Sequence, residues 1–346
     1  MSLASALKTG DVTQLPSRRD EDWRWTDLRG LIRVLPAAAP AHDGDVPAGP
    51  FAGLTRAETV FVNGRRIAHA EAASGVVALR FVALADKASQ GASHSLVVKP
   101  GESLVLLESH EGRANGYVSD VALDIAVGEG ACLERIVLVE DEAEAVNVVT
   151  AEVALAPGAR FAQTVLTSGA RRQRIETRVS HPGAHADARL DGAYLLDAQR
   201  HADLTTIVTH AGVDGATSQL TKGMVTDQAR GVFQGRIVVA EGADQTDARM
   251  GHHALILSDK AEIDAKPELL IFADDVSCAH GNTIGALDED ALFYAEQRGI
   301  PEVEAKAMLT EAFVGEVVER IEHEAAREIA AAWVARKLAR DLRSVA

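Results

Sequence analysis

Val121-Ala-Leu-Asp-Ile-Ala-Val127 is followed, after Gly130-Ala131, by Leu133-Glu-Arg-Ile-Val-Leu-Val139. In the first run Val121, Leu123, Ile125 and Val127 alternate with Ala122, Asp124 and Ala126. That period of two belongs to a half-buried strand, because successive side chains of a strand point to opposite faces. Outward from this pair the same texture continues in Thr59-Val-Phe-Val-Asn63, Leu204-Thr-Thr-Ile-Val-Thr209, Val232-Phe-Gln-Gly-Arg-Ile-Val-Val239 and Ala254-Leu-Ile-Leu257. Short strands punctuated by Gly and Asp run from about 59 to 296, with no helical stretch between about 118 and 285. A βαβ parallel sheet is excluded, since it needs a helix after each strand. Gly-Ala pairs recur at Gly130, Gly158, Gly183, Gly215 and Gly242, at steps such as 158 − 130 = 28 and 215 − 183 = 32. A step of this size suits one coil of a β-solenoid. A β-sandwich is the alternative that strand texture alone leaves open.

The flanks read differently. Residues 1–58 open with Arg18-Arg-Asp-Glu-Asp-Trp-Arg-Trp-Thr-Asp-Leu28 and pass into Pro36-Ala-Ala-Ala-Pro40 and Pro50. This predicts short helices followed by a linker. Beyond about 297, Leu309, Phe313, Val317 and Ile321 fall four apart, and Ala325, Ile329 and Trp333 continue the step. One apolar stripe on helical spacing results, with Glu311, Glu316, Glu319, Glu322 and Glu324 largely off it. Pro301 after Gly299 suits a helix start, and the basic Arg336, Lys337, Arg340 and Arg343 suit a helix C-terminus. The expected division is 1–58, a β core over 59–296, and a helical region over 297–346.

The 346 residues carry 35 Lys and Arg against 51 Asp and Glu, a formal charge of −16. That argues against binding a phosphate backbone or an anionic lipid surface, both of which need a basic face. Hydrophobic residues make up 47% and aromatics only 4%, so Ala, Val, Leu and Ile supply the core. No run of about 20 apolar residues predicts a membrane helix. Cys132 and Cys278 form no disulfide framework and no CxxC, and the opening MSLASALKTGDV lacks a basic n-region, so a cytoplasmic, reducing location is expected.

The densest chemistry lies in Ala273-Asp-Asp-Val-Ser-Cys-Ala-His-Gly281. On an extended strand Cys278 and His280 share a face, so thiolate and imidazole project side by side. The pair suits iron or zinc, and two ligands leave the shell to be completed from elsewhere, such as another subunit. The structural alternative is a buried cysteine beside a hydrogen-bonded histidine. A Cys–His nucleophile would need an orienting partner and an oxyanion hole that nothing in the sequence marks. His252-His253 can send only one side chain into a common site. His181, His185, His201 and His210 show no ligand-like spacing and are expected to be hydrogen-bonded or exposed. Arg171-Arg-Gln-Arg174 is expected on a solvated loop, Trp23 and Trp25 as packing anchors, and Asp274-Asp275 at a turn. Neither GxxxxGK[ST] nor GxGxxG occurs.

Lys266-Pro-Glu-Leu-Leu-Ile-Phe-Ala-Asp-Asp-Val-Ser-Cys-Ala-His-Gly-Asn-Thr-Ile-Gly285 resembles the C-terminal signature of the SufB/SufD family of iron–sulfur cluster assembly scaffold proteins. Leu287-Asp-Glu-Asp-Ala-Leu-Phe-Tyr294, Arg298-Gly-Ile-Pro301, Val232-Phe-Gln-Gly-Arg-Ile237, Ala243-Asp-Gln-Thr-Asp-Ala248 and the block from Leu15 to Leu28 extend the likeness over nearly the whole chain. The short chain, its N-terminal block and the missing extra cysteines of SufB place the resemblance on the SufD side. Ala279, where serine is common, and Gly251-His-His253, where asparagine-rich sequence is usual, depart from the pattern.

The resemblance implies a right-handed parallel β-helix with helical regions at both ends. It implies a non-catalytic, cytoplasmic scaffold of the SufBCD complex that pairs with SufB through the β-helix, or with a second copy of itself when SufB is absent. It further implies a SufC ATPase carried on the C-terminal helices, for which Leu309, Phe313, Val317 and Ile321 are the candidate contact. His280, with Cys278, is the implied ligand of iron or a nascent cluster at the subunit interface, held only in transit, with no cofactor bound stably by this chain alone. The rival reading is a β-helix enzyme acting on polysaccharide, with Asp187, Asp191, Asp227 and Asp244 as available carboxylates. The missing secretion signal and scarce aromatics stand against it.

Overall fold

A computed structural model describes residues 1–70, 75–181 and 184–341. Helix α1 (Leu3–Thr9) starts where the Ser2 hydroxyl accepts the Ser5 amide and ends at Gly10. Short 3-10 turns at Val12–Gln14 and Glu21–Trp23 follow. The strands are β1 (Glu58–Val62), β2 (Arg65–Ala68), β3 (Gly75–Ala83), β4 (Ser89–Val98), β5 (Ser103–Gly112), β6 (Val118–Val127), β7 (Cys132–Glu140), β8 (Val146–Leu155), β9 (Arg160–Thr167), β10 (Arg172–His181), β11 (Asp187–Leu196), β12 (His201–His210), β13 (Ala216–Val225), β14 (Arg230–Val239), β15 (Asp247–Ile256), β16 (Glu262–Ile271) and β17 (Ser277–Gly285). Helices α2 (Glu289–Gln297), α3 (Glu302–Val318) and α4 (Glu324–Asp341) complete the chain, α2 starting where the Asp288 carboxylate caps the amides of Asp290 and Ala291.

Successive strands alternate between two sheets, ordered β17-β15-β13-β11-β9-β7-β5-β3-β1-β2 and β16-β14-β12-β10-β8-β6-β4. Every pairing except the β1–β2 hairpin is parallel. The result is a parallel β-solenoid of about 7 turns, which settles solenoid against sandwich. Ser103 pairs with Cys132, Cys132 with Arg160 and Arg160 with Asp187, so one coil takes 132 − 103 = 29, 160 − 132 = 28 or 187 − 160 = 27 residues.

The repeat seen in the sequence is a corner. Gly101, Gly130, Gly158, His185, Asp214 and Gln245 all adopt left-handed backbone, with φ between 54° and 70°. Each donates its amide to a carbonyl one coil on: Gly130 to Pro157, Gly158 to Ala184, His185 to Val213, Asp214 to Asp244. Glycine takes this conformation without steric cost, and Asp and His are among the residues that tolerate it. Gly183 lies outside the described residues, and Gly215 follows a non-glycine corner residue.

Burial explains the two strand textures. In β6 the inward Val121, Leu123, Ile125 and Val127 are buried while Ala122, Asp124 and Ala126 face water. In β7 both faces are covered, because the outward Ile136 and Leu138 lie under α3 and α4 with Val317, Ile321, Trp333 and Leu338. Inside the coil, Arg135 meets Glu108 at 2.8 Å, both fully buried, and also Gln163 at 2.5 Å. Burial opposes ionisation of Glu108, yet Arg135 and the His110 hydrogen bond override it and hold the carboxyl at about 2.

Over the other sheet the N-terminal segment lies as a strap. Arg174 pairs with Asp203 at 2.7 Å and with Glu176 at 2.8 Å, with Trp23 stacked on its guanidinium. Arg174 is therefore buried in β10, not on the solvated loop expected for 171–174, because residues 20–28 cover that outer face. The expected single C-terminal stripe is broken between Val318 and Glu324 into two helices folded back on each other. Arg343 and the side chain of Arg340 lie outside the described residues.

Candidate functional site at the open end of the solenoid

Both sheets stop at the last coil. β17 pairs only with β15, and β16 pairs along its ladder only with β14, so among the described residues their outer edges carry no further strand. An unpaired edge presents a row of free N–H and C=O groups. Cys278, His280, Asn282 and Ile284 stand opposite Ala248, Met250, His252 and Ala254, which are buried inside the coil below. The Cys–His pair thus belongs to the inward-facing row, yet His280 is exposed and Cys278 half-buried because no further coil covers it. Leu270, Ile271, Phe272 and Ile284 add exposed apolar surface at the same end, Phe272 at 65%.

Partial burial pushes the Cys278 thiol above its ordinary value, and a hydrogen bond with the Ala248 backbone pulls the other way. Among the described residues no cluster of three or more His, Cys, Asp or Glu forms a metal site. Thiol and imidazole alternate with Ala279 on one extended strand, a pair of soft and borderline donors open to a partner's ligands.

One coil below, His252 is buried with its ring stacked on Phe233 at 4.7 Å. Its Nδ1 lies 2.7 Å from Asn282 Oδ1 and its Nε2 2.9 Å from the Tyr194 hydroxyl. Burial holds its pKa down at about 4, so the ring is neutral, donating from Nδ1 to Asn282 and accepting from Tyr194. Of the His252-His253 pair only His252 enters this row. His253 faces out and meets Thr283 at 2.7 Å.

Sequence spacing missed another pair. His181 and His210 are register partners one coil apart, 210 − 181 = 29, and their rings pack at 4.3 Å. Neither is exposed, and neither nitrogen of His181 finds a partner among the described residues. The signal was present in the coil length, which is itself legible only once the solenoid is known. His185 sits exposed beside Asp214, and His201 lies 3.0 Å from the Trp25 carbonyl.

The C-terminal residues divide. Val317 and Ile321 are fully buried against the solenoid and so are not available surface, whereas Leu309 and Phe313 are half-buried. The exposed apolar side chains there are Phe293, Tyr294, Val303 and Met308. Among the carboxylates of the polysaccharide reading, Asp191 is spent on Arg320 at 3.1 Å and Arg189 at 3.4 Å. Asp227 caps the amide of Ala198, Asp187 stands half-buried by Arg160, and Asp244 lies in a corner. No helix among the described residues is long and apolar enough to cross a membrane.

The family model for the SUF system FeS cluster assembly SufBD core domain matches residues 81–313, which takes in β4 to β17 and with them the Cys278–His280 strand. The chain belongs to the SufB/SufD family. Among curated members of that family, the iron–sulfur cluster assembly protein SufD of Escherichia coli is 27% identical over 392 residues, 97% of this chain and 91% of that protein. SufD of Bacillus subtilis is 32% identical over 39% of this chain and 31% of its own length. A SufBD family protein of Synechocystis is 30% identical over 59% of this chain and 45% of its own length. As a SufB/SufD family member the chain is an iron–sulfur cluster assembly protein, and its solenoid is that family's core.

Proposed function

We propose that this chain is the SufD-type, non-catalytic scaffold subunit of a cytoplasmic cluster assembly complex, mated through its open solenoid end to a SufB-type subunit. The observation that carries the reading is the position of Cys278 and His280, inward-facing yet uncovered, on the outermost strand of a sheet with a free edge. A second parallel sheet docked on β16 and β17 would satisfy their free backbone groups and cover Leu270, Phe272 and Ile284. It would also bring its own ligands beside the thiol and imidazole. Iron or a nascent cluster is cargo here, passed on and not kept. With no SufB-type partner, a second copy of the chain takes the same edge.

In this reading a SufC-type ATPase rides on α2 and α3, where Phe293, Tyr294, Val303 and Met308 are exposed and Leu309 and Phe313 half-buried. The chain supplies no ATP chemistry of its own, and the ATPase acts by binding two arrangements of the scaffold with different affinity.

The test is His280→Ala and Cys278→Ser, each assembled with SufB- and SufC-type partners. Size-exclusion chromatography reports assembly, and absorbance and iron content report cluster formation. Normal assembly with cluster yield lowered about tenfold or more in His280→Ala is expected. Wild-type yield in both variants would remove the pair from the chemistry, and failure of wild-type protein to assemble would remove the partner reading.

A further inference from the structure

The last strand of the solenoid has little packing to hold it. Among the described residues β17 pairs with β15 alone. Its outer face carries only Ser277, Ala279 and Thr283, with glycine at 281 and 285, where an added Cβ would meet nothing within 4 Å. Its inner row is Cys278, His280, Asn282 and Ile284, of which only Cys278 packs partly into the core. A strand whose phase slips by one residue turns every side chain to the other face. Such a slip here would carry Cys278 and His280 outside.

Two side-chain bonds oppose it. In β15, His252 stands opposite Asn282 and His253 opposite Thr283. His252 Nδ1 lies 2.7 Å from Asn282 Oδ1 on the inner face, and His253 Nδ1 lies 2.7 Å from Thr283 Oγ1 on the outer face. Adjacent side chains of a strand point apart, so each histidine serves one face. Neighbouring residues of β17 are thus gripped from both sides of the sheet. The inner grip has a firm footing, because His252 is wholly buried, stacked on Phe233 and bonded to the Tyr194 hydroxyl. Asn282 shares the face of His280, with Gly281 between them. Glycine restrains the backbone least of all residues, so the hold on His280 has to come from its neighbours.

We propose that His252 and His253 are positioning residues for the Cys278–His280 pair. By holding Asn282 and Thr283 they lock the phase of β17 and keep thiol and imidazole together on the inner row. The inference rests on the function proposed above for that pair.

The double variant Asn282→Ala/Thr283→Val removes both bonds and leaves the histidines in place. Both positions are exposed, so water takes over the lost bonds and the urea midpoint should stay close to wild type. Amide exchange over 277–285, measured on the chain alone and diluted until monomeric, should quicken about tenfold, the combined worth of two ordinary hydrogen bonds. Exchange in β9 and β11 should not change. Asn282→Asp/Thr283→Ser keeps an oxygen at each position and should restore slow exchange. In the assembled complex Asn282→Ala/Thr283→Val should lower cluster yield about tenfold, the lower end of what losing the support around a metal ligand costs. Wild-type exchange in β17 would overturn the proposal, and so would a quickening shared with β9 and β11, which would make the role one of general stability. Wild-type cluster yield in this variant, where His280→Ala lowers the yield, would overturn it as well. If His280→Ala has no effect, the earlier reading fails, and exchange on the chain alone still decides whether the histidines hold the strand.

Discussion

Asn282 Oδ1 stands 2.7 Å from Nδ1 of His252, one coil below it in the same inward row. The exposed site strand is thereby tied to the interior, since His252 continues to the Tyr194 hydroxyl at 2.9 Å. Tyr194→Phe leaves His252 Nε2 buried without its donor. A loss of about 1–3 kcal/mol in urea unfolding is expected, with cluster yield little changed. A loss below about 0.3 kcal/mol would show that the bond carries no weight.

Acid should destabilise the fold through its buried histidines. Burial depresses His181 to about 3 and His201, His210 and His252 to about 4. Unfolded, each titrates near about 6.5, so below that pH the unfolded chain binds more protons than the folded one. Stability is therefore complete above about pH 6.5 and falls as pH drops toward about 4, by as much as about 1.4 kcal/mol per pH unit for each histidine. Urea midpoints should hold from pH 7.5 to about 6.5 and fall from there to pH 4.5, and His181→Leu should flatten the slope. A flat profile would contradict the burial.

Glu134 caps a helix from outside it. Its carboxylate accepts the Glu322 amide at 2.6 Å and the His323 amide at 3.0 Å, just ahead of α4. Glu134→Ala should cost about 1–2 kcal/mol, the usual worth of an N-cap. Because the cap also fastens the helices to β7, limited proteolysis should cut faster near residues 319–323. Unchanged cleavage would mean that packing of Trp333 and Ile321 holds the helices alone.

The interior pair Glu108–Arg135 should behave asymmetrically. Glu108→Leu strands a fully buried guanidinium and is expected to cost about 3–5 kcal/mol. Adding Arg135→Met should recover most of that loss. A double variant as unstable as the single one would place the cost in packing and not in charge.

How much of this was legible beforehand follows from which contacts are local. The alternation of Val121 to Val127 is a property of one strand with water on its far side, so it reads directly as β structure. Leu133 to Val139 read as a strand but concealed its second covered face, which depends on Ile321 and Trp333 nearly 200 positions later. Arg174 was misplaced for the same reason: its cover, Trp23, lies about 150 residues upstream. Cys278 and His280 could be paired from the i, i+2 rule, but their exposure depends on no coil following, which strand periodicity does not encode. His181 with His210, and Arg135 with Glu108, meet through coil register, which no motif spacing announces.

The bends between strands, the left-handed corners among them, are where coils differ in length: four residues separate β8 from β9, five separate β12 from β13 and seven separate β14 from β15. Their backbone stitching keeps the straight segments aligned while the bends between them grow or shrink. Residues gained or lost in a bend bulge outward and leave each inward row in step, whereas one residue added inside a strand would turn every later side chain on that segment inside out. The molecule can therefore drift in length at its edges while Cys278 and His280 stay pointed the same way.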